Sequence, residues 1–271
     1  PSTMWTGGDP LDGASWSALG PLAQMFGKGY AVMISDVGND GDPNPHGVFA
    51  GKFGGNALLD GMRAALDHRP AGLSKSAPKA IFGIAGGGVG AAFGAEKAAA
   101  YAPELNIKGT VLEGMVVNQR NFIRTSDGSV GSGFAFATLL GLEPRYPEMK
   151  IDDKLTPAGK ALADVFRTQC QTPAYFGTPF VPLRTLFKGG KSPADIPEFQ
   201  HVYRDNLLGT RSPKSPVLIA SCAKDDSPMS LVPAADSRKL AATYRAGGTR
   251  VDYQPTDCSM LHFLTNMYGW G

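Results

Sequence analysis

The stretch KAIFGIAGGGVG, Lys79 to Gly90, constrains this chain more than any other. An apolar run of strand character breaks into glycines and then enters a helical pattern that continues from about Gly88 to Tyr101. A strand feeding a helix through so short a turn points to an α/β architecture, because the helix must pack back on the sheet before the next parallel strand. Two chemical readings share these residues. Gly83-Ile84-Ala85-Gly86-Gly87 has the frame of a nucleophile elbow, G-x-S-x-G, whose central residue stands on a sharp strand-to-helix turn. That centre is Ala85, which carries no nucleophilic oxygen. Gly86-Gly87-Gly88-Val89-Gly90-Ala91 equally fits G-x-G-x-x-A, a variant of the fingerprint for dinucleotide-dependent oxidoreductases. There the glycines let the backbone approach a pyrophosphate, and Glu113, closing the next apolar run, offers an acceptor for a ribose hydroxyl. A third reading gives the glycines only close packing of strand on helix.

The rest of the chain repeats the unit. Gly29–Ser35 reads as a buried strand ending at Asp36, and Leu58, Leu59, Met62, Ala65 and Leu66 predict a helix over Gly55–His68, ended by Pro70 and Gly72. Strands are predicted at Lys79–Gly83, Gly109–Leu112, Pro216–Ser221 and Arg250–Tyr253, with a helix at Pro233–Ala246 closed by Gly247-Gly248. The alternation predicts a mostly parallel sheet with helices on both faces. Residues 115–212 break the rhythm with phenylalanines, leucines and prolines, and read as a mostly helical cap inserted over the carboxyl end of the sheet. The expected organisation is a core of 1–114 and 213–271 with this insertion between them.

At 271 residues and 42% hydrophobic, the chain can bury the core of such a domain. A net charge of +2, without a basic run interleaved with aromatics, argues against nucleic acid as a partner. No apolar stretch reaches the length of a membrane span, and the chain does not open on a signal peptide. It starts at Pro1-Ser2-Thr3, without an initiator methionine, and reads as a processed or truncated product. His46, His68, His201, His262, Cys170, Cys222 and Cys258 show no metal-ligand spacing, so neither metal nor cofactor is expected. Cys222 and Cys258 flank two loops that the strand order brings together, which suggests a disulfide; both as small buried hydrophobes is the other reading.

Distant residues separate elbow from fingerprint. Acyl transfer on an α/β scaffold needs a nucleophile, an acid and a histidine in that order, each following a strand. Strand 216–221 is followed by Lys224-Asp225-Asp226, and strand 250–253 by a loop to His262. The histidine would carry the nucleophile's proton to the leaving group, while the carboxylate fixes its tautomer. Asp225 is preferred over Asp226, and taken alone the pair is ordinary turn chemistry. His262, among Leu261, Phe263 and Leu264, taken alone is a core histidine. Together and in order they favour the elbow, since a dinucleotide site gives neither a task.

Several segments then resemble one family, the secretory lipases, an α/β-hydrolase group with a helical cap. They are GYAVMISD (Gly29–Asp36), LLDGMRAAL (Leu58–Leu66), GIAGG (Gly83–Gly87), YAPELNIKG (Tyr101–Gly109), RYPEM (Arg145–Met149), Cys170 to Phe180, KDD (Lys224–Asp226) and HFLTNMYG (His262–Gly269). The resemblance implies that Ala85 stands in the catalytic serine's place, Asp225 in the acid's and His262 in the base's. Gly86 would give one oxyanion donor through its backbone N–H. It also implies a missing N-terminal portion that holds the first strands, the second oxyanion donor and the partner of Cys170, as a cleaved, disulfide-tethered segment or an absent one. The function so implied is carboxylic-ester hydrolysis, or acyl transfer, through an acyl-enzyme, with an acyl ester or lipid as substrate, contact with lipid surfaces, and export to the medium or cell envelope. This chain is expected to be inactive. Engineered replacement of the serine is the favoured origin of Ala85, with natural loss, giving a catalytically silent acyl-binding protein, as the alternative.

Overall fold

The computed structural model describes residues 22–35, 49–68, 72–168, 178–225 and 232–256. Four parallel strands, β1 (Lys79–Ile84), β2 (Ile107–Glu113), β3 (Val217–Cys222) and β4 (Val251–Thr256), lie side by side in sequence order. The register places Ile84 opposite Glu113, and Glu113 opposite Ala220. Cys222 is paired with Thr256. The carboxyl ends of all four strands therefore open at one edge of the sheet, where an α/β fold gathers its ligands.

A short helix α1 covers 22–27, and α2 (Gly51–Asp67) and α3 (Ala85–Tyr101) frame β1. The helix expected from Gly55 starts four residues earlier, and α3 starts at Ala85 rather than Gly88. The strand expected at Gly29–Ser35 is absent. Gly29 has φ +78°, residues 30–35 carry no ladder, and Tyr30 and Ile34 are exposed. Alternating apolar residues make a strand only where a neighbour accepts its hydrogen bonds, and β1 pairs here with β2 alone among the described strands.

Helix α3 carries five glycines, a composition that costs roughly 1 kcal/mol per residue against alanine in an isolated helix. Packing offsets that cost. A Cβ on Gly55 of α2 would stand 2.7 Å from the Gly94 nitrogen and 2.9 Å from the Phe93 carbonyl carbon, so the two backbones meet directly. Gly55→Ala is expected to destabilise the protein by about 2 kcal/mol through overpacking, read as a fall in the urea midpoint at unchanged slope. An unchanged midpoint would mean that the two helices do not approach this closely.

Between β2 and β3 the chain forms α4 (Gln119–Ser126), α5 (Ser132–Leu142), α6 (Ile151–Lys154), α7 (Pro157–Thr168), the later α8 (Gln200–Asp205), and several single 3-10 turns. Proline opens the turns at Pro147, Pro193 and Pro197, where its fixed φ and missing N–H are tolerated. Phe166, Phe136, Phe187, Phe199 and Tyr203 form a chain of edge-to-face contacts 5.4–6.5 Å apart. These rings belong to the same hydrophobic cluster as Ile81, Leu112 and Ile219 of the sheet and Val89 of α3. Helix α9 (Ala234–Ala246) links β3 to β4 and ends at Gly247-Gly248, as its sequence predicts.

One buried acid joins three parts of the fold. Glu96 on α3, 5% exposed, accepts from the Gly209 N–H at 2.7 Å, the Tyr244 hydroxyl of α9 at 2.7 Å and the Thr210 hydroxyl at 3.4 Å. Burial raises its carboxyl pKa, and the hydrogen bonds, led by that of Gly209, oppose the rise. The folded protein thus keeps this proton to higher pH than the unfolded chain, so the group's contribution to stability falls as pH rises through and above the ordinary glutamate range. The native protein should lose stability relative to Glu96→Gln as pH rises through and above the ordinary glutamate range, at about pH 4. Urea unfolding across that range checks it, and a gap widening in favour of the native protein would contradict it.

Candidate active site

The sheet delivers the elbow residues to its open edge. Ile84 is extended (φ −120°, ψ 142°) and Ala85, the first residue of α3, has φ +48°. A left-handed conformation costs a non-glycine residue roughly 1–2 kcal/mol, and the surroundings impose it. A Cβ on Gly83 would lie 2.5 Å from the Ala91 Cβ and 2.7 Å from the Gly87 carbonyl oxygen. A Cβ on Gly88 would lie 2.7 Å from the Met115 Cβ. Strand and helix can therefore come this close only through glycines, and the chain must reverse sharply at residue 85. Ala85 itself is exposed at the bend.

Gly86 follows, buried, in the first turn of α3. The first N–H groups of a helix have no intrahelical acceptor, and the helix dipole adds about half a positive charge there. A developing oxyanion beside residue 85 would meet both. The fingerprint reading fares differently: Gly86 and Gly88 lie inside the helix, and Gly88 faces Met115, so its lack of a side chain serves protein packing.

Asp225 comes to the same edge. After β3, the loop through Ala223 and Lys224 folds back on α9, where the Ala234 N–H donates to the Asp225 carboxylate and Arg238 donates to the Ala223 carbonyl at 2.9 Å. The amide at the amino end of the helix orients the carboxylate. With neighbouring strands about 4.8 Å apart, the turns after β1 and β3 stand roughly 10 Å apart across the edge. Between them Glu113 closes β2, its carboxyl pKa raised by burial alone. His262 follows β4 in sequence and lies outside the described residues, as do Asp226, Cys170 and Cys258. Cys222 at the end of β3 is disulfide-bonded.

One further acid at this edge was not singled out from sequence. Asp236, in the first turn of α9, accepts from the Asn121 side chain of α4 through both oxygens, at 2.9 and 3.0 Å. Burial raises its pKa, and the hydrogen bond from Asn121 opposes the rise. This pair ties the segment between β2 and β3 to the helix that holds Asp225. The one local signal is an acid in a helix's first turn, which many helices share.

Comparison with known proteins agrees with this geometry. The secretory lipase family model matches residues 19–271. A protein of Mycobacterium tuberculosis named a probable inactive lipase is 30% identical over 258 residues, which cover 87% of this chain and 54% of that protein. A secreted triacylglycerol lipase of Malassezia furfur is 29% identical over 255 residues, covering 91% of this chain and 64% of its own length. Among solved structures, Candida antarctica lipase A in its closed state superposes with a TM-score of 0.68 at 24% identity, over 77% of this chain and 50% of that one. The chain thus spans between about half and two thirds of the length of the proteins it matches. The parallel sheet, the strand order and the superposition are those of an α/β-hydrolase. Together with the family match over nearly the whole sequence, they establish that the chain belongs to the secretory lipase family.

Proposed function

We propose that this chain carries the site of a serine carboxylic-ester hydrolase, or of an acyltransferase on the same scaffold, with alanine in the nucleophile's place. In the serine form, the residue 85 hydroxyl attacks the ester carbonyl, its proton passes to His262, and Asp225 holds the imidazole in the required tautomer. The Gly86 N–H donates to the tetrahedral oxyanion. The alkoxide leaves with the proton from His262, and water or another hydroxyl resolves the acyl-enzyme. Residues 115–212 act as the cap that receives the acyl group.

The observation that carries this reading is Ala85 at φ +48°. Glycine would occupy that bend without strain, and alanine gains nothing from bearing a Cβ there. A side chain with work to do at the bend explains why the position is not glycine. The substrate class, an acyl ester or lipid, follows that of the Malassezia furfur relative, a secreted triacylglycerol lipase. Contact with lipid surfaces is supported by Phe180, 65% exposed at φ +63° and fixed by its N–H to the Ser129 carbonyl at 2.8 Å. Export is inferred from the family's secreted members; among the described residues no helix is long and apolar enough to cross a membrane. A tether from Cys170 to an N-terminal segment belongs to the same proposal, and intact mass with and without reductant tests it.

Labelling tests the site itself. Ala85→Ser is expected to form a stoichiometric adduct with a serine-directed alkyl phosphonate, while the alanine form forms none. Adding Asp225→Asn should slow the labelling on the order of 10²-fold or more. A serine form that takes up no phosphonate would sink the assignment. A second reading, a catalytically silent acyl-binding protein, is favoured by the alanine and by the Mycobacterium tuberculosis relative's name. It expects the alanine form to bind a fluorescent fatty acid tightly and the serine form to hydrolyse nothing.

A further inference from the structure

A cavity of about 310 Å³ opens far from the elbow, between α2, the later turns of α3, α8 and the 210–211 turn. Lys97 lies twelve residues beyond Ala85, which places the cavity roughly 18 Å along the helix from the site. Phe93 and Glu96 are its buried floor, and its walls are cationic: Lys52, Lys97, Arg204 and Arg211. The two acids on the cavity are both engaged. Glu96 is saturated by the donors described above, and Asp205 is paired with Lys52 and accepts from the Tyr146 hydroxyl.

Among the described residues that leaves three positive charges without an ion pair. Lys97 donates to the neutral Asn56 side chain at 2.8 Å. Among the described residues Arg204 and Arg211 make no ion pair. Burial, and then the charges of Lys52 and Arg211, lower the pKa of Lys97, so these cations repel one another across the cavity. Nothing in the ester chemistry uses them. A guanidinium fork matches the geometry of a phosphate oxygen pair, and two forks with an ammonium match an oxyanion carrying more than one negative charge.

We propose that this cavity binds a phosphate-class oxyanion, held by Arg204 and Arg211 with Lys97 as the third charge. The bound anion fastens the α2–α3 pair to the segment that leads into β3. The oxyanion comes either as free phosphate or as the monoester headgroup of an anionic lipid, and the two are separable by experiment.

The test uses the chain as it stands, without ester substrate. Inorganic phosphate, titrated against sodium chloride at equal ionic strength, is expected to raise the melting temperature saturably. The double variant Arg204→Gln/Arg211→Gln should weaken the apparent affinity about tenfold or more. Lys97→Gln, made alone, should weaken it in the same direction and keeps the test available if the double variant fails to fold. Lys75→Gln, which removes a cation outside the cavity paired with Asp67, should change nothing. Co-sedimentation with phosphatidylcholine vesicles that contain phosphatidic acid, but not with vesicles that lack it, identifies the headgroup as the source if it is lost in the double variant. Saturation by phosphate without vesicle binding identifies the free anion. The proposal is overturned if neither probe binds, if chloride does as well as phosphate, or if the cavity variants bind as the parent does.

Discussion

Ala85→Ser is expected to raise kcat/KM for a short- or medium-chain p-nitrophenyl ester on the order of 10⁴- to 10⁶-fold over the alanine form, the range lost when a catalytic serine is removed. The gain needs no rearrangement. The backbone at residue 85 already holds the left-handed bend and the Cβ already projects at an exposed position, so the change adds one oxygen. The N–H groups at the start of α3 stand beside it, in the place where charge develops in the tetrahedral intermediate. Asp225→Asn in the serine form should then lower kcat by on the order of 10⁴-fold through the wrong histidine tautomer, with KM little changed. Steady-state kinetics on the three proteins separates these effects. A serine form no faster than its alanine parent would show that the elbow is a relic of the fold and not a site.

Glu96→Ala is expected to cost about 3 kcal/mol of stability. The loss is not one contact. Removing the carboxylate strands the buried Tyr244 hydroxyl and the half-buried Gly209 N–H, and each unsatisfied donor costs about 1–3 kcal/mol. Tyr244→Phe removes the hydroxyl and leaves the acid its other donors, so it should cost only about 1 kcal/mol. Urea unfolding of both variants reads the difference. Equal losses would mean that Glu96 serves Tyr244 alone; a loss under about 0.5 kcal/mol for Glu96→Ala would mean that water replaces it.

The elements best read from sequence were those that the sheet completes. Lys79–Gly83, Gly109–Leu112, Pro216–Ser221 and Arg250–Tyr253 all became strands, three of them lengthened by one to three residues and Pro216–Ser221 shifted by one, because parallel neighbours bury them and a continuous apolar run then has one outcome. Gly29–Ser35 has the same composition and no described neighbour, so pattern alone misled. The elbow was legible as a spacing of glycines, but the strain at Ala85 was not, since the collisions that enforce it involve Ala91 and Met115 as well as the glycines themselves. Asp225 was identified by its place after β3; the amide that fixes it comes from Ala234 across a loop. The Asn121–Asp236 pair and the charges around Lys97 join residues more than a hundred positions apart in sequence, or lie on helices whose faces only packing reveals. No local pattern encodes them.

The sheet's middle seam carries a consequence for how the chain acquires its structure. β1 and β2 are joined through one helix, as are β3 and β4, but roughly a hundred residues separate β2 from β3, which lie side by side. Two strand pairs can thus form early from near neighbours, while the seam between them must wait for the whole intervening segment to be made and drawn in. As the chain leaves a ribosome, the 79–113 unit would emerge with its β2 edge unpaired until β3 is made. During that interval, more than in the finished fold, an unpaired strand edge is open to pairing with other chains.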